Sequence, residues 1–213
     1  EMSGVAPGVT ARATNAPVRV PIGDKLLGRV IDALGNPIDD KGPLPTMPLL
    51  STTNQAPSPL SRQRITQQLH VGVRIIDTLI PIGRGQRIGI FAGSGVGKST
   101  LMSMMARNTS ADVVVVGLVG ERGREVLEFI ENDLGSEGLA KSVVVVATSD
   151  MPPMVRLQAA STATRVAELF RDQGLHVLLF IDSITRTMTA QREVGLSAGE
   201  PPAARAYPPS AFA

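Results

Sequence analysis

Cysteine and tryptophan are absent from this chain of 213 residues, and only one tyrosine and five phenylalanines are present. Without cysteine, the protein can form neither a disulfide nor a thiolate metal site, and a reducing cytoplasm is permitted. The shortage of aromatic rings leaves no platform for stacking nucleic-acid bases. The net charge is only +2, so the protein also lacks the strong positive potential that binding along a polyanion would require. The composition therefore argues against a nucleic-acid partner.

Long apolar runs are also missing. The longest uncharged stretch, between Lys41 and Arg62, contains five prolines, which prevent a membrane-spanning helix. Hydrophobic residues nevertheless make up 43% of the chain, enough for a folded core. The length suits one domain of about 100 to 200 residues and part of a second. Because neither end completes a helix or a cap, we expect an internal piece of a longer protein.

The two parts of the chain differ in pattern. Residues 1–60 hold nine of the 16 prolines between short β-type runs, which predicts β structure and loops. From about residue 87, unbroken apolar runs alternate with segments of helical spacing, as in a parallel sheet buried on both faces. These runs cover residues 88–92, 113–119, 143–147 and 177–181. The pattern predicts an α/β core with a doubly wound sheet, which binds ligands at the carboxyl ends of its strands.

Helices are predicted between the strands. Apolar residues repeat at helical spacing over 126–134 and 155–170. Gly135 and Gly174 follow these segments, where helices commonly end. A third helix-forming run covers 100–107.

A glycine-rich loop with the sequence AGSGVGKS connects the predicted strand at 87–91 to the helix at 100–107. Its glycines let successive backbone N–H groups point at one anion, the helix adds its positive end, and Lys98 brings a full charge to the β and γ phosphates. Ser99 is placed to bind Mg²⁺. The alternative is a glycine-rich turn without a ligand, and Ala92 stands where the usual pattern has glycine. The residues expected to bind nucleotide are Gly93, Ser94, Gly95, Val96, Gly97, Lys98, Ser99 and Thr100.

Two acidic residues follow valine-rich and leucine-rich runs. Asp182 closes the run at 177–181, where a carboxylate that holds Mg²⁺ is required, although it could instead cap the next helix. Glu121 follows the run at 113–119 and Gly120. It is either a catalytic acid or a partner of the helix dipole, and its position alone does not decide between them.

From Ala16 onward, the chain resembles the catalytic subunits of rotary ATP synthases and, more closely, the flagellar and virulence-type type III secretion ATPases. The GEPP stretch and the residues after Asp182 favour the secretion branch, and MMAR at 104–107 leans towards its flagellar members. The matching pieces are LGRV at 27–30, FAGSGVGKST at 91–100, GERGRE at 120–125, FIDSITR at 180–186, AQRE at 190–193, GEPP at 199–202 and YPPS at 207–210.

The resemblance implies a RecA-like P-loop core with a mostly parallel sheet, preceded by a partial N-terminal β region. Residues 1–22 would end an incomplete β-barrel, and residues 23–213 would form an ATPase core truncated at its C-terminus. The implied activity is Mg²⁺-dependent ATP hydrolysis by a ring-forming motor that energises protein export. The implied partners are identical subunits in a hexamer, stator and stalk proteins, chaperones and export substrates, without nucleic acid. The implied location is cytoplasmic, peripheral at the inner membrane face through the export apparatus.

The same resemblance implies roles for individual residues. Glu121 would polarise the attacking water, Lys98 would act on the phosphates, and Arg122 and Arg186 would reach the γ phosphate. Arg has a planar fork that can pair two oxygens at once. Arg124 and Glu125 would support this turn, and Ser99 and Asp182 would hold the metal. The alternative for Arg122 and Arg124 is a solvated basic face.

Departures and missing parts limit the implied activity. The family usually reads Arg-Gly-Tyr where this chain has Arg205, Ala206 and Tyr207. The family's arginine finger, adenine-contacting aromatic residue and helical C-terminal domain would lie beyond residue 213. Because a finger accelerates hydrolysis by roughly 10³ to 10⁵, we expect these 213 residues alone to bind nucleotide better than they hydrolyse it.

Two other functions are compatible with a phosphate-binding loop. A hexameric RNA translocase would share the core but would need an aromatic or basic RNA platform, which the proline-rich first part does not offer. A non-catalytic nucleotide-binding ring subunit would keep the loop and lose the acid that polarises water. Glu121 argues against that second alternative.

Overall fold

The computed structural model describes residues 6–10, 12–93 and 95–212. Ser94, one of the residues expected to bind nucleotide, lies outside the described residues. The strands are β1 (Arg19–Pro21), β2 (Arg29–Asp32), β3 (Leu49–Ser51), β4 (Gln68–Leu69), β5 (Ile82–Gly83), β6 (Val113–Glu121), β7 (Ser142–Thr148) and β8 (Val177–Asp182). The α-helices are α1 (Arg74–Leu79), α2 (Lys98–Asn108), α3 (Gly123–Glu128), α4 (Gly135–Ala140), α5 (Pro153–Asp172) and α6 (Ile184–Ser197).

A parallel sheet with the strand order β2-β7-β6-β8 forms the centre of the fold. The valine-rich strands β6 and β7 occupy its middle and are buried along nearly their whole length. Three of the predicted runs, 113–119, 143–147 and 177–181, form these strands and β8. The predicted α/β core with a mostly parallel sheet is therefore confirmed.

Helices cover both faces of this sheet. On one face, Val114 and Val116 of β6 pack in the same core cluster as Met102 and Met105 of α2. On the other face, alternate residues of β6 and β7 pack in a cluster with the small residues of α5, such as Ala163. Each fully buried valine contributes about 1.5 to 3 kcal/mol. The doubly wound arrangement follows from apolar residues that point alternately to the two faces.

The prediction of a strand at 88–92 is wrong. Residues 86–93 form no strand, and Phe91 is 97% exposed. Glycine inside a strand has no side chain to pack and a large loss of conformational entropy. The predicted strand contains Gly89, and Gly93 follows it directly. Strand β8 is therefore an edge strand, and within the described part of the chain it pairs only with β6.

The helix predicted at 126–134 begins as α3 and continues through a π-helical turn, Phe129–Leu134. Gly135 takes a left-handed φ of +67°, but helical turns resume directly in α4. The prediction that the helix ends at Gly135 was thus wrong in part, because one left-handed glycine changes the direction of the chain without preventing another turn. The predicted helix at 155–170 is confirmed as α5, and Gly174 follows it with a φ of +85°.

Strand β2 belongs to the parallel sheet, whereas β1 pairs antiparallel with β3. The division of the chain between residues 22 and 23 stays a prediction. No helix in the described ranges is both long and apolar enough to cross a membrane.

Helix α2 is anchored at its C-terminal end by Lys141. The Lys141 Nζ donates hydrogen bonds to the carbonyl oxygens of Arg107 and Thr109, at 2.8 and 3.4 Å. A cation at this end of a helix complements its dipole. Burial lowers the pKa of Lys141. This contact helps to position the helix that begins at the glycine-rich loop.

Candidate active site

The candidate site lies at the carboxyl edge of the sheet. Strands β6 and β8 are parallel neighbours, and Leu118 of β6 is paired with Asp182, the last residue of β8. Glu121 ends β6 at the same edge. Helix α2 packs on one face of this sheet and begins there with Lys98. The fold therefore brings the lysine and the two acids to one place.

The glycine-rich loop leads into α2 through left-handed glycines. Gly95 and Gly97 have φ values of +75° and +93°, and Gly97 is the N-cap residue of α2. The first turn of α2 contains no acidic residue, so its positive end is not neutralised from within the helix. Free N–H groups at such a helix start are a ready anion site.

Lys98 forms an ion pair with Asp182, its Nζ donating a hydrogen bond to Oδ1. The Asp182 side chain is only 7% exposed, whereas that of Lys98 is 28% exposed. A buried carboxylate is stabilised by such a partner, because an unpaired buried charge is costly. The residue expected to reach phosphate therefore contacts the residue expected to hold the metal.

Glu121 is bound by Arg186 of α6. The Arg186 Nη1 lies 2.7 Å from Oε2 of Glu121 and donates a 2.5 Å hydrogen bond to the carbonyl oxygen of Gly120. The amide of Ser149, which follows β7, donates to the Glu121 carbonyl at 2.9 Å. Both the carboxylate and the backbone of Glu121 are thus held in place.

Burial raises the pKa of Glu121 to about 7, and a hydrogen bond with Glu125 and the charge of Asp182 act in the same direction. The Arg186 guanidinium opposes this shift in the pKa. The pKa of Glu125 is lowered, chiefly by its hydrogen bond with Glu121. A carboxyl group with a pKa near the working pH can both accept and release a proton, as a general base must.

The arginines of the GERGRE segment lie on its solvent side. The Arg122 side chain is 65% exposed, with its Nη1 3.1 Å from Glu125, and Arg124 is also exposed. Of the two arginines expected at the γ phosphate, the structure brings Arg186 to the acidic residues and leaves Arg122 on the surface. The role of Arg122 stays a prediction.

Ser149 and the backbone of Gly120 belong to the site as well, although no motif in the sequence predicted them. Ser149 follows a predicted strand, so its place at the carboxyl edge could have been deduced from the parallel sheet. The contact between Arg186 and Gly120 joins residues far apart in the chain, and nothing in the local pattern indicates it.

Residues 72–213 match the ATP synthase alpha/beta family, nucleotide-binding domain. Over its whole length, the chain shows 56% sequence identity to the flagellum-specific ATP synthase of Bacillus subtilis, and the match covers 49% of that protein. The chain also shows, over its whole length, 53% identity to the type 3 secretion system ATPase of Xanthomonas euvesicatoria, and this match covers 48% of that protein.

A solved structure is similar as well. It is the assembled ATPase EscN in complex with its central stalk EscO, from the enteropathogenic E. coli type III secretion system. The TM-score is 0.86 at 52% sequence identity, over 92% of this chain and 48% of that one. The chain spans about half the length of the curated relatives that it matches.

Proposed function

Because this chain belongs to the ATP synthase alpha/beta family, we propose that it is part of a ring-forming motor that hydrolyses ATP and energises protein export through a flagellar or virulence type III secretion system. The convergence of Lys98, Asp182 and Glu121 at the carboxyl edge of the sheet is the observation that carries this proposal. Relatives of both kinds, flagellar and virulence-associated, support it.

The nucleotide's phosphates bind at the start of α2. Backbone N–H groups of the loop and the helix dipole attract the anion, and Lys98 supplies a full positive charge. To reach phosphate, Lys98 must exchange its ion pair with Asp182 for phosphate oxygens. The exchange leaves the Asp182 carboxylate free for a cation.

Ser99 and Asp182 fit a magnesium ion. They would supply a hydroxyl and a carboxylate oxygen, from the start of α2 and the end of β8. Mg²⁺ prefers such a site, because it binds through few protein ligands and keeps several waters. When bound, the ion would neutralise charge on the phosphates.

Glu121 acts on the water. In its ionised form the carboxylate accepts a hydrogen bond from the attacking water and orients it in line with the γ phosphate. Arg186 holds that carboxylate, and its guanidinium would also share its positive charge with the phosphate. Positioning and charge stabilisation supply most of the rate enhancement in phosphoryl transfer.

The full-length protein assembles as a hexamer under this proposal, with an arginine finger contributed between subunits. The related ATPase EscN was solved in an assembled form with a central stalk protein, which supports a ring and a stalk partner. Stator proteins, chaperones and export substrates would be further partners, and the ring would sit in the cytoplasm at the inner membrane face. Residues 1–22 would end a β-barrel and residues 23–213 would form the ATPase core.

The test is ATP hydrolysis by the purified full-length protein that contains this chain. Phosphate release should require Mg²⁺, stop when the metal is chelated and rise with protein concentration more steeply than linearly as the ring assembles. Calorimetry should show nucleotide binding even where the ring does not form. Failure of the full-length protein to bind or hydrolyse ATP would contradict the proposal.

The pH dependence of hydrolysis should follow the ionisation of Glu121. Because burial raises the pKa of Glu121 to about 7, the carboxyl group is protonated and inactive at lower pH, and kcat/KM should rise with pH through that value. kcat/KM reports the ionisations of the free enzyme. The Glu125→Gln variant removes a hydrogen bond that raises the pKa of Glu121, so its acid limb should move to lower pH.

Rate profiles of the wild type, Glu125→Gln and Glu128→Gln measure this effect. Glu128 lies on the same helix and is exposed, so its variant controls for the loss of one surface charge. If the acid limb of Glu125→Gln coincides with that of Glu128→Gln, Glu125 does not influence Glu121.

A further inference from the structure

The C-terminal end of strand β6 contains an irregularity at Gly120. Along the β6 and β7 pair, Val119 lies opposite Ala147 and Glu121 lies opposite Thr148. Two steps along β6 therefore correspond to one step along β7. Gly120 is the extra residue of a β-bulge, a feature that re-aims side chains next to active sites.

This bulge decides which face of the sheet Glu121 occupies. Val115 and Val119 pack on the α5 face, and strict alternation would place Glu121 there too. Ala147 packs on the α5 face and its neighbour Val146 packs on the α2 face. Residues two positions apart on a strand point to the same face, so Thr148 lies on the α2 face with Val146. Glu121 pairs with Thr148 and hence lies on the α2 face, where Lys98 meets Asp182.

Gly120 suits this position for two reasons. Its φ of +72° lies in the left-handed region that side chains with a Cβ rarely adopt. A Cβ at this residue would also lie 3.2 Å from Cδ and 3.3 Å from Cβ of Arg186. The stem of Arg186 therefore passes directly over Gly120, and its guanidinium turns back to the Gly120 carbonyl and the Glu121 carboxylate.

We propose that Gly120 is a positioning residue for ATP hydrolysis: its bulge turns the Glu121 carboxylate to the phosphate side of the sheet and leaves room for Arg186 to hold it there. The proposal rests on the proposed function. It assigns to Gly120 no contact with nucleotide. A change at Gly120 should therefore affect the chemical step and not nucleotide binding.

The Gly120→Ala variant of the full-length protein tests this role. Its kcat should fall by about 10- to 100-fold, because a displacement of about 1 Å at a reacting group can cost 10²-fold in rate. The Kd for a non-hydrolysable ATP analogue should stay close to that of the wild type.

Two further variants separate positioning from general destabilisation. Gly174→Ala introduces the same side chain at a φ of +85° with nothing within 4 Å, so it adds a similar backbone strain away from the site and should keep kcat. Gly120→Asn relieves part of the backbone strain, because asparagine tolerates the left-handed region better than alanine does, but its side chain still crowds Arg186, so its kcat should stay as low as that of Gly120→Ala. Thermal unfolding of each variant shows that folded protein is being compared.

The outcomes distinguish this proposal from the proposed function. Wild-type kcat in Gly120→Ala, with hydrolysis intact in the wild type, would overturn the positioning role alone. Equal losses of kcat in Gly120→Ala and Gly174→Ala would also overturn it, since the cause would then be strain anywhere in the fold. A wild-type protein that does not hydrolyse ATP would overturn the proposed function.

Discussion

Replacing Glu121 by glutamine in the full-length protein is expected to lower kcat for ATP hydrolysis by about 10² to 10⁴-fold, the usual contribution of a general base. Glutamine keeps the size of the side chain and can still hydrogen-bond, but it cannot accept a proton from water. Nucleotide binding should be nearly unchanged, because Lys98 and the start of α2 hold the phosphates. The hydrogen bond from Arg186 can persist to the amide oxygen.

Hydrolysis and calorimetric binding should be measured together, with Glu128→Gln as the matched control. Glu128 has the same charge and lies on an exposed face of α3, and its variant should retain wild-type kcat. Loss of both binding and hydrolysis in Glu121→Gln would mean that Glu121 supports the nucleotide pocket instead of the chemistry. Unchanged kcat would indicate a ring subunit in which this acid has no catalytic role.

The strands that carry the site were predictable, because their residues are valine and isoleucine or leucine without polar interruption. Such runs are typical of strands buried on both faces, and the structure contains β6, β7 and β8 where they were expected. Parallel strands also place the residues after them at one edge. The meeting of Lys98 with Asp182 follows from that rule and from α2 beginning at the same edge.

The strand expected at 88–92 shows where apolar content misleads. The segment contains one glycine, Gly89, and Ile88 and Phe91 remain exposed. The hydrophobicity of a segment reflects its side chains alone. Strand formation also depends on the backbone entropy that each glycine loses and on the presence of a partner strand.

The orientation of Glu121 was not predictable from periodicity. Alternation assigns Glu121 to the α5 face, and the bulge at Gly120 reverses that assignment. A glycine directly before an acid at the end of a strand is a signal that could have suggested a bulge. The contacts of Arg186 depend on the packing of α6 against this edge, which no local pattern encodes.

Lys98→Met is the second substitution with a large expected effect, and it should change activity and stability together. Methionine keeps an unbranched apolar stem but has no charge for the phosphates, so kcat/KM for ATP should fall by about 10² to 10³-fold, as when one preorganised donor is removed from a transition state. Loss of the lysine also leaves the buried Asp182 without its partner. Since Lys98 is partly exposed, we expect the free energy of unfolding to fall by about 1 to 3 kcal/mol, less than for a fully buried pair.

The double variant Lys98→Met with Asp182→Asn separates the two effects. Neutral asparagine removes the unpaired charge, so most of the lost stability should return, while hydrolysis should remain as low as in Lys98→Met or lower. Denaturant unfolding and phosphate release measure the two quantities on the same samples. Lys41→Met is the control, because Lys41 is exposed and its Nζ donates a hydrogen bond to the Gly28 carbonyl at 2.8 Å. A double variant that is no more stable than Lys98→Met would contradict this expectation. It would mean that the ion pair does not offset the free-energy cost of burying the Asp182 carboxylate, and that helix α2 alone holds Lys98 at this edge.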